Sequence, residues 1–297
     1  MAAVRGSAEV RRRIDLARTA IPGSGAQFGD IGVADGTDFA DARLSVDDWS
    51  ATFHVGLQLR ASERWSFGLR YLHTAHLALT GSAVFDQVLT GLRLPAANPF
   101  GLPPGTPIDP LLAPQFESNG VLDDQRLTTE LTLPNQLVGG ARFMASPTTR
   151  LFVDYQWTGW SHFDRAVLQF ETAPADTVFF DYDDASTLRF AVEYDPSDAV
   201  AVRGGILHNT AAAPDASVDP LLPEATRTSF ACGFGYRFAE RFGADLGIEV
   251  LVQEERRGRV RPRTSRAQSA SDLNVGRYSA HGVFSSLTLS YLLGGPL

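Results

Sequence analysis

Apolar residues recur at every second position through several long segments of this chain, and residues 227–238 give the clearest example. The apolar positions there are Phe230, Cys232, Phe234, Tyr236 and Phe238. Small or polar residues fill the positions between them, and residues 49–60, 65–72 and 283–291 repeat the pattern. Alternation with a period of two is typical of a β-strand with one apolar and one polar face. No segment shows a comparable helical period, so the sequence predicts an all-β fold.

Two all-β architectures produce this alternation. A soluble β-sandwich turns its apolar faces inward, whereas a transmembrane β-barrel turns them toward lipid. The polar faces here are crowded with Gly, Ala and Ser beside a few charges, which suits a confined lumen. Aromatic residues such as Trp49, Trp65 and Tyr291 lie near strand ends, as in interfacial girdles. These features favour an antiparallel transmembrane β-barrel, with the soluble sandwich kept as the alternative.

Connection lengths support the barrel independently. Short turns are predicted at residues 61–64, 145–149, 195–198 and 239–241. Long connections are predicted at residues 81–125, 161–186, 209–226 and 254–279. Short turns on one side and long loops on the other are typical of outer-membrane barrels. The pattern predicts about ten strands, the first near residues 8–16, in a single domain that covers residues 1–297.

Composition excludes several other classes of protein. The net charge of −8 disfavours nucleic acid as a partner. No run of about 18 apolar residues is present, which excludes a transmembrane helix. One cysteine and six histidines without ligand spacing indicate no metal site, and no cofactor motif is found. We therefore expect no enzyme activity; an outer-membrane lipid hydrolase that uses His162 or His208 is the less favoured alternative.

Several phrases resemble the FadL/TodX family of outer-membrane transporters for long-chain fatty acids and aromatic hydrocarbons. These phrases are the residues 131–134 (LTLP), 154–163 (DYQWTGWSHF), 203–205 (RGG), 221–227 (LLPEATR) and 234–238 (FGYRF). Each phrase is weak alone, but their order and spacing over residues 39–293 make the resemblance fairly specific. A looser similarity reaches back to Ala8.

The resemblance implies a barrel of about fourteen strands with an N-terminal plug and an apolar path that leaves through the wall. It also implies passive transport of hydrophobic compounds such as long-chain fatty acids across the bacterial outer membrane. Residues 1–20 contain no secretory signal peptide. The signal, the plug and roughly the first four strands, including the kinked strand of the wall opening, have no counterpart here. We therefore expect an incomplete barrel with open edges near residues 8–16 and 282–293.

Charged side chains on the inward face are candidates for ligand binding. The alternation turns Arg70, Arg189 and Arg203 inward, together with several carboxylates. An Arg in this position can hold a ligand carboxylate by a bidentate contact, or it can join an ion-pair ladder between strands. The ladder is the favoured interpretation. If Arg203 instead contacts the ligand, Arg203→Ala should weaken fatty-acid binding by about 1.5–3 kcal/mol and spare a neutral alkane.

Apolar residues on the same face complete the candidate site. They are Leu72, Phe152, Trp160, Leu207 and Phe284. An acyl-chain path would use them, although packing against other parts of the protein explains them equally well. Residues 81–125 are also rich in Leu, Pro and Phe, which suggests either a docking surface or a loop folded over the barrel mouth.

The expected partners follow from the barrel interpretation. They are a hydrophobic small molecule and the outer-membrane lipid, including lipopolysaccharide, whose phosphates the Arg-rich residues 254–261 could contact. A solvated loop is the favoured explanation of that segment. The chain is expected to act as a monomer.

Overall fold

The computed structural model describes residues 2–21, 24–218, 224–239, 241–258 and 276–291. Strands dominate, and the helical elements are short. The strands are β1 Ala2–Asp15, β2 Asp38–Thr52, β3 His54–Arg60, β4 Trp65–Leu72, β5 Ala75–Gln87, β6 Gln125–Leu133, β7 Gln136–Ser146, β8 Thr149–Thr158, β9 Arg165–Phe170, β10 Asp176–Phe179, β11 Ala185–Ser197, β12 Val200–Asn209, β13 Arg227–Ala239, β14 Phe242–Gln253, β15 Arg256–Gly258, β16 Gly276–Tyr278 and β17 His281–Tyr291. The helices are α1 Asp109–Leu112 and the 3-10 turns Leu16–Arg18, Phe28–Ile31, Ala113–Gln115, Trp160–His162 and Asp215–Ser217.

Nine strands form an antiparallel sheet, which we call the wall. Its strand order is β3-β4-β7-β8-β11-β12-β13-β14-β17 reading from one edge to the other. Consecutive members are joined by the predicted tight turns after β3, β7, β11 and β13. Hairpin turns on one side align the strands so that directly paired residues share a face. The predicted antiparallel all-β fold is confirmed.

One face of the wall is apolar and exposed. The outward set predicted from the alternation is Phe230, Phe234, Leu246, Ile248, Leu287 and Leu289. Phe230 is 55% exposed and Leu289 is 73% exposed, and the other four are exposed as well. A soluble sandwich would bury such a face against a second sheet. The sandwich alternative is therefore wrong, because the wall presents a broad apolar surface of the kind that lipid covers.

Aromatic side chains line the short-turn end of this surface. Trp65 lies 4.6 Å from Phe143 between ring centroids, and Phe242 lies 4.8 Å from Tyr291. Because Trp65 is paired with Phe143 and Phe242 with Tyr291 in the strand register, each contact spans two neighbouring strands. A girdle of this kind is typical of the interface between a bilayer and water.

Six further strands form a second sheet, which we call the cap, at the long-loop end of the wall. Its order is β1-β2-β5-β6-β9-β10. Three of its strands continue into wall strands after short breaks at Phe53, at residues 73–74 and at residues 134–135. One face of the cap packs on a hydrophobic core that includes Leu79, Leu127 and Phe39. The opposite face carries cross-strand ion pairs, such as Arg13 with Asp38 at 3.0 Å.

The connection between β5 and β6 folds onto the cap core. Leu94, Ile108 and Leu112 are buried there. Asp109 fixes the base of this connection, because its carboxylate accepts hydrogen bonds from the Thr90 and Gly91 backbone N–H groups, each at 2.9 Å, and from the Thr90 hydroxyl. The apolar connection is therefore a folded cover, which is one of the two structures that its composition suggested.

Several predicted boundaries are corrected by the structure. The strand near residues 8–16 is β1, and it pairs with β2 in the cap instead of forming a wall edge. The open edges of the wall, among the described residues, are β3 and β17. The supposed long loops are also shorter, because β5 extends to Gln87 and residues 161–186 contain the β9–β10 hairpin. No helix in the described ranges is long and apolar enough to cross a membrane.

Candidate ligand-binding site

A cavity of about 660 Å³ lies on the polar face of the wall. It is formed by β3, β4, β7 and β8, where Gly56, Gly68 and Gly140 leave room above the backbone. Since strands alternate their side chains between faces, the side chains that point into it come from even-numbered positions of β3, β4, β7 and β8. Leu57, Phe67, Leu69 and Ala141 also border it. Its charged members are Arg70, Arg142 and Asp154, and its aromatic members are His54, Phe67 and Phe152.

The two arginines of the cavity are poorly neutralised. Arg142 donates one hydrogen bond, from Nη2 to Ser66 Oγ at 3.1 Å, and its buried Nε has no hydrogen-bond partner. Arg70 is exposed, and neither it nor Arg142 forms an ion pair with another described residue. An unpaired guanidinium carries donors that a ligand oxygen can accept. The cavity therefore combines cationic donors with the apolar ring of Phe152.

Arg203 lies elsewhere on the same face and is fully engaged. It forms ion pairs with Glu193 and, at 2.6 Å, with Asp245, while Glu193 also binds Arg150 at 2.8 Å. Arg150 in turn binds Asp195. These five residues form a continuous ion-pair ladder across β8, β11, β12 and β14. The ladder that the sequence analysis favoured is present for Arg203.

A glycine makes the last step of the ladder possible. The pair Arg203–Asp245 spans β13, whose residue beneath it is Gly235. A Cβ added at Gly235 would lie 2.5 Å from Asp245 Oδ1 and 3.1 Å from Arg203 Nη1. The absence of a side chain at this position lets the two charged groups meet over the intervening strand.

The remaining inward candidates are dispersed along the wall. Arg189 donates to Gln156 Oε1 at 3.0 Å, one strand away from the cavity. Leu207 is paired with Arg189 in the register, and Phe284 is paired with Glu249 near the opposite edge. The predicted facing of these residues is consistent with the register. The structure thus brings Arg70 and Phe152 together and leaves Arg189, Leu207 and Phe284 outside the cavity.

The sequence analysis placed Trp160 on the inward face of a strand, and this prediction is wrong. It follows the end of β8 in a 3-10 turn, and its ring packs 5.9 Å from Phe163 and 6.0 Å from Tyr182. This aromatic cluster also includes Phe180. The aromatic phrase around Trp160 therefore stabilises the connection between β8 and β11, and does not line the wall.

Sequence reasoning overlooked Arg142. The alternation that predicted an inward Arg70 could also have predicted an inward Arg142, because Val138, Gly140 and Arg142 occupy every second position of β7. The segment was not recognised as a strand with a charged inward face, since Gly139 and Gly140 interrupt its apolar pattern.

A serine, a histidine and an aspartate do meet at the long-loop end. Asp184 Oδ1 accepts a hydrogen bond from the Ser161 backbone N–H at 3.0 Å. The Ser161 side chain, its N–H and, to a smaller degree, Trp157 and His162 hold the pKa of Asp184 below its ordinary value. A hydrolytic triad needs the carboxylate to orient the histidine, with the serine on the other side of that ring. Here the carboxylate binds Ser161 itself, so the arrangement caps a turn.

Other candidate segments are occupied or lie outside the described residues. Arg256 is mostly buried and binds Asp215 at 2.6 Å and the Ala213 carbonyl oxygen at 2.5 Å. Residues 259–261 and 221–223, on which other predictions fell, are outside the described ranges. Among the residues that the structure does describe, no group of three His, Cys, Asp or Glu side chains could hold a metal ion.

An exposed apolar band, a polar face with a cavity and loops gathered at one end define an outer-membrane barrel protein. The family described as "Outer membrane protein transport protein (OMPP1/FadL/TodX)" matches residues 1–292. The chain belongs to this family, which consists of outer-membrane transport proteins and not of enzymes. The match confirms the resemblance found over residues 39–293 and extends it to the first residues.

Individual relatives support the same fold. A 47 kDa outer membrane protein of Pasteurella multocida is 29% identical over 217 residues, which cover 71% of this chain and 45% of the relative. A FadL homologue from Pseudomonas aeruginosa superposes with a TM-score of 0.75 at 20% identity, over 97% of this chain and 62% of the other. The toluene transporter TbuX of Ralstonia pickettii gives a TM-score of 0.57 at 15% identity, with 97% and 60% covered. The chain therefore spans about half to three fifths of the length of these relatives.

Proposed function

We propose that this protein transports hydrophobic compounds, such as long-chain fatty acids, across the outer membrane by passive diffusion through the barrel. The observation that carries the proposal is the cavity on the polar face of the wall, in a chain of the FadL/TodX family. A water-filled porin would have a lumen lined by solvated charges. This cavity instead sets Phe152 beside Arg142, its partner in the strand register, and Arg70 on the next strand also lines it. It therefore suits a molecule with an apolar body and an anionic end.

The arginines divide into two roles in this proposal. Arg150 and Arg203 are neutralised by three carboxylates and stabilise the wall. Arg70 and Arg142 retain free donors and contact the carboxylate of the ligand. Charge-assisted hydrogen bonds are about twice as strong as neutral ones. We therefore assign carboxylate binding to Arg142 and Arg70 in place of Arg203, with Phe152 against the acyl chain.

The surrounding membrane supplies the second partner. Trp49 is exposed where the apolar band meets the cap, and the Arg5 guanidinium lies 5.7 Å from its ring centroid. An aromatic ring beside a cation at this height suits the headgroup region of the outer leaflet. We propose that lipopolysaccharide contacts this boundary. A monomeric state stays a prediction.

The wall is part of a larger barrel in this proposal. Its edge strands β3 and β17 have no ladder partner on their outer sides among the described residues. Lipid cannot satisfy backbone N–H and C=O groups, so a barrel must close. Further strands that pair with β3 and β17 would close it.

The test compares a charged and a neutral ligand in outer-membrane vesicles from cells that express the native gene. Arg142→Gln is expected to raise the Kd of a long-chain fatty acid by about tenfold, or about 1.4 kcal/mol, because one charge-assisted contact is lost. Binding of the corresponding methyl ester should be unchanged. Arg70→Gln should act in the same direction.

Arg203→Gln is the matched control, because it alters a wall arginine that already has two carboxylate partners. It should change the binding of acid and ester equally. Absence of saturable uptake of either ligand by the unmodified protein would disprove the transport proposal. Equal loss of both ligands in Arg142→Gln would disprove the assignment of the carboxylate contact.

A further inference from the structure

The cavity on the polar face of the wall contains a carboxylate as well as two arginines. Asp154 of β8 lines it together with Arg70 and Arg142. In the strand register, Asp154 is paired with Gly140 on β7, and Gly140 is paired with Gly68 on β4. A Cβ added at Gly140 would collide with Asp154 Oδ1, whereas one added at Gly68 would meet open space. The Asp154 carboxylate therefore lies over the bare backbone of Gly140 and points into the cavity.

This carboxylate has no partner of its own among the described residues. The register places Arg189 of β11 directly beside Asp154, but the Arg189 side chain donates to Gln156 Oε1 at 3.0 Å instead. Within the described ranges, Asp154 forms no ion pair and no side-chain hydrogen bond. The carboxylates of Glu193 and Asp245 on the same face, by contrast, both bind an arginine. Asp154 thus keeps free acceptor positions on its two oxygens.

An unpaired carboxylate in a partly enclosed site favours some ligands over others. Methylene groups packed against it would remove it from water without a hydrogen bond in return, which is costly. A ligand hydroxyl would instead donate to it, and charge-assisted bonds of this kind are about twice as strong as neutral ones. An ammonium group could donate as well, but Arg70 and Arg142 line the same cavity and would repel it. The chemistry of the cavity therefore suits a neutral donor.

The spacing of the charged groups determines where on the ligand this donor lies. Arg142 follows Gly140, the register partner of Asp154, by two residues. Two residues of a strand span about 7 Å, so the guanidinium and the carboxylate belong to neighbouring rows of the sheet. A ligand whose carboxylate binds Arg142, and whose chain runs along the strands, passes Asp154 with its first few carbon atoms. The hydroxyl that Asp154 accepts from is therefore close to the carboxylate of the ligand.

We propose that the cavity selects fatty acids that carry a hydroxyl group close to their carboxylate, with Asp154 as the acceptor for that hydroxyl. The inference rests on the proposed transport function and narrows its substrate class. Arg142 binds the carboxylate, Asp154 binds the hydroxyl, and the rest of the chain is apolar. A site built around a ligand hydroxyl rejects the analogue that lacks it, because the polar group of the site is then left unpaired.

The test compares three ligands of equal chain length in outer-membrane vesicles from cells that express the native gene. They are palmitic acid, β-hydroxypalmitic acid and ω-hydroxypalmitic acid, and competition with a fluorescent fatty acid gives the Kd of each. The unmodified protein should bind β-hydroxypalmitic acid about tenfold more tightly than palmitic acid. The hydroxyl of ω-hydroxypalmitic acid lies at the far end of the chain, so this ligand should gain nothing over palmitic acid.

Asp154→Ala should remove the preference, because it weakens the binding of β-hydroxypalmitic acid about tenfold and leaves palmitic acid bound at least as tightly as before. Retained binding of palmitic acid shows that the variant is folded. Asp154→Asn keeps an acceptor oxygen without the charge and should retain part of the preference.

Glu249→Ala is the matched control. Glu249 is another inward carboxylate of the wall that has no ion-pair partner among the described residues, but it lies outside the cavity, opposite Phe284. This variant should bind all three ligands like the unmodified protein. Equal affinity for palmitic and β-hydroxypalmitic acid, an equal gain from both hydroxyl positions, or an unchanged preference in Asp154→Ala would overturn the inference and leave the transport function intact. Absence of saturable binding of all three ligands by the unmodified protein would instead contradict the transport function.

Discussion

At the scale of single residues, the arginines of the wall differ in whether a carboxylate neutralises them. The sequence alone predicts that the Arg203 side chain points to the polar face of the wall, because its position in the alternation determines the direction of its side chain. The ion-pair partners of Arg203 could not be predicted from the sequence, because Glu193 and Asp245 belong to different strands. Asp245 contacts Arg203 only because Gly235, on the strand between them, has no side chain. The odd or even position of a residue in a strand gives the face to which its side chain points. Which side chains on different strands meet depends on the register between those strands.

Gly235 offers the sharpest test at this scale. Gly235→Ala should weaken the Arg203–Asp245 pair, because the new Cβ would lie 2.5 Å from Asp245 Oδ1. Both side chains of the pair are 43% exposed, so screening limits the loss to about 1 kcal/mol of unfolding free energy. Denaturant unfolding in detergent measures it.

Gly233→Ala is the control on the same strand. Its nearest contact would be an ordinary 3.5 Å to Arg203 Cβ. Alanine is also the better strand residue, so this variant should be neutral or slightly stabilising. Equal destabilisation by both changes would count against the role of Gly235.

At the scale of elements, the sequence predicts the wall well and the cap poorly. Wall strands such as β13 and β14 alternate without interruption and end at tight turns, so both their faces and their ends were predictable. The cap differs because β5 and β6 bury their apolar positions under residues 88–124, which have no strand or helix period of their own. Alternation shows which residues are apolar but not whether lipid or protein covers them.

The Asp109 contact predicts how pH affects one element. Burial alone would raise the pKa of Asp109, but hydrogen bonds from the Thr90 hydroxyl and from the Thr90 and Gly91 N–H groups outweigh it and lower the pKa. A carboxyl group with a lowered pKa in the folded state stabilises at pH values above its unfolded value of about 3.9. That stabilisation is lost as the pH falls through the folded value.

Limited proteolysis of residues 88–108 measures this effect. The native cover should resist cleavage at neutral pH and become susceptible only in acid below about pH 4. Asp109→Ala should be susceptible at neutral pH as well, after a loss of about 1–2 kcal/mol. Glu117→Ala removes an exposed carboxylate from the same connection and should behave like the unmodified protein. A resistant Asp109→Ala cover would exclude the proposed contact as its anchor.

At the scale of the whole molecule, the two open edges of the wall decide whether the chain can form a stable barrel by itself. The outer edges of β3 and β17 have no paired strand among the described residues. Both edges lie at the level of the exposed apolar band. Closing nine strands on themselves would narrow the lumen and crowd the ion-pair ladder. Leaving them open would expose backbone groups to lipid.

We therefore expect these 297 residues expressed alone to aggregate or to insert without transport. The measurement is reconstitution into liposomes with a fluorescent fatty acid outside, compared with vesicles that lack protein. Saturable uptake by this chain would refute the expectation and would mean that the wall closes without further strands.

The continuity of cap and wall strands also constrains the order of biogenesis. β2 and β3 form one nearly continuous stretch whose first part is stable only around an aqueous-side protein core, and whose second part is stable only in lipid. If the cap core packed first, a bulky folded body would have to be threaded through the bilayer. The cap segments, residues 38–52 and 75–133, must therefore cross in an unpacked state, and the long connection can pack onto the cap core only after it has crossed.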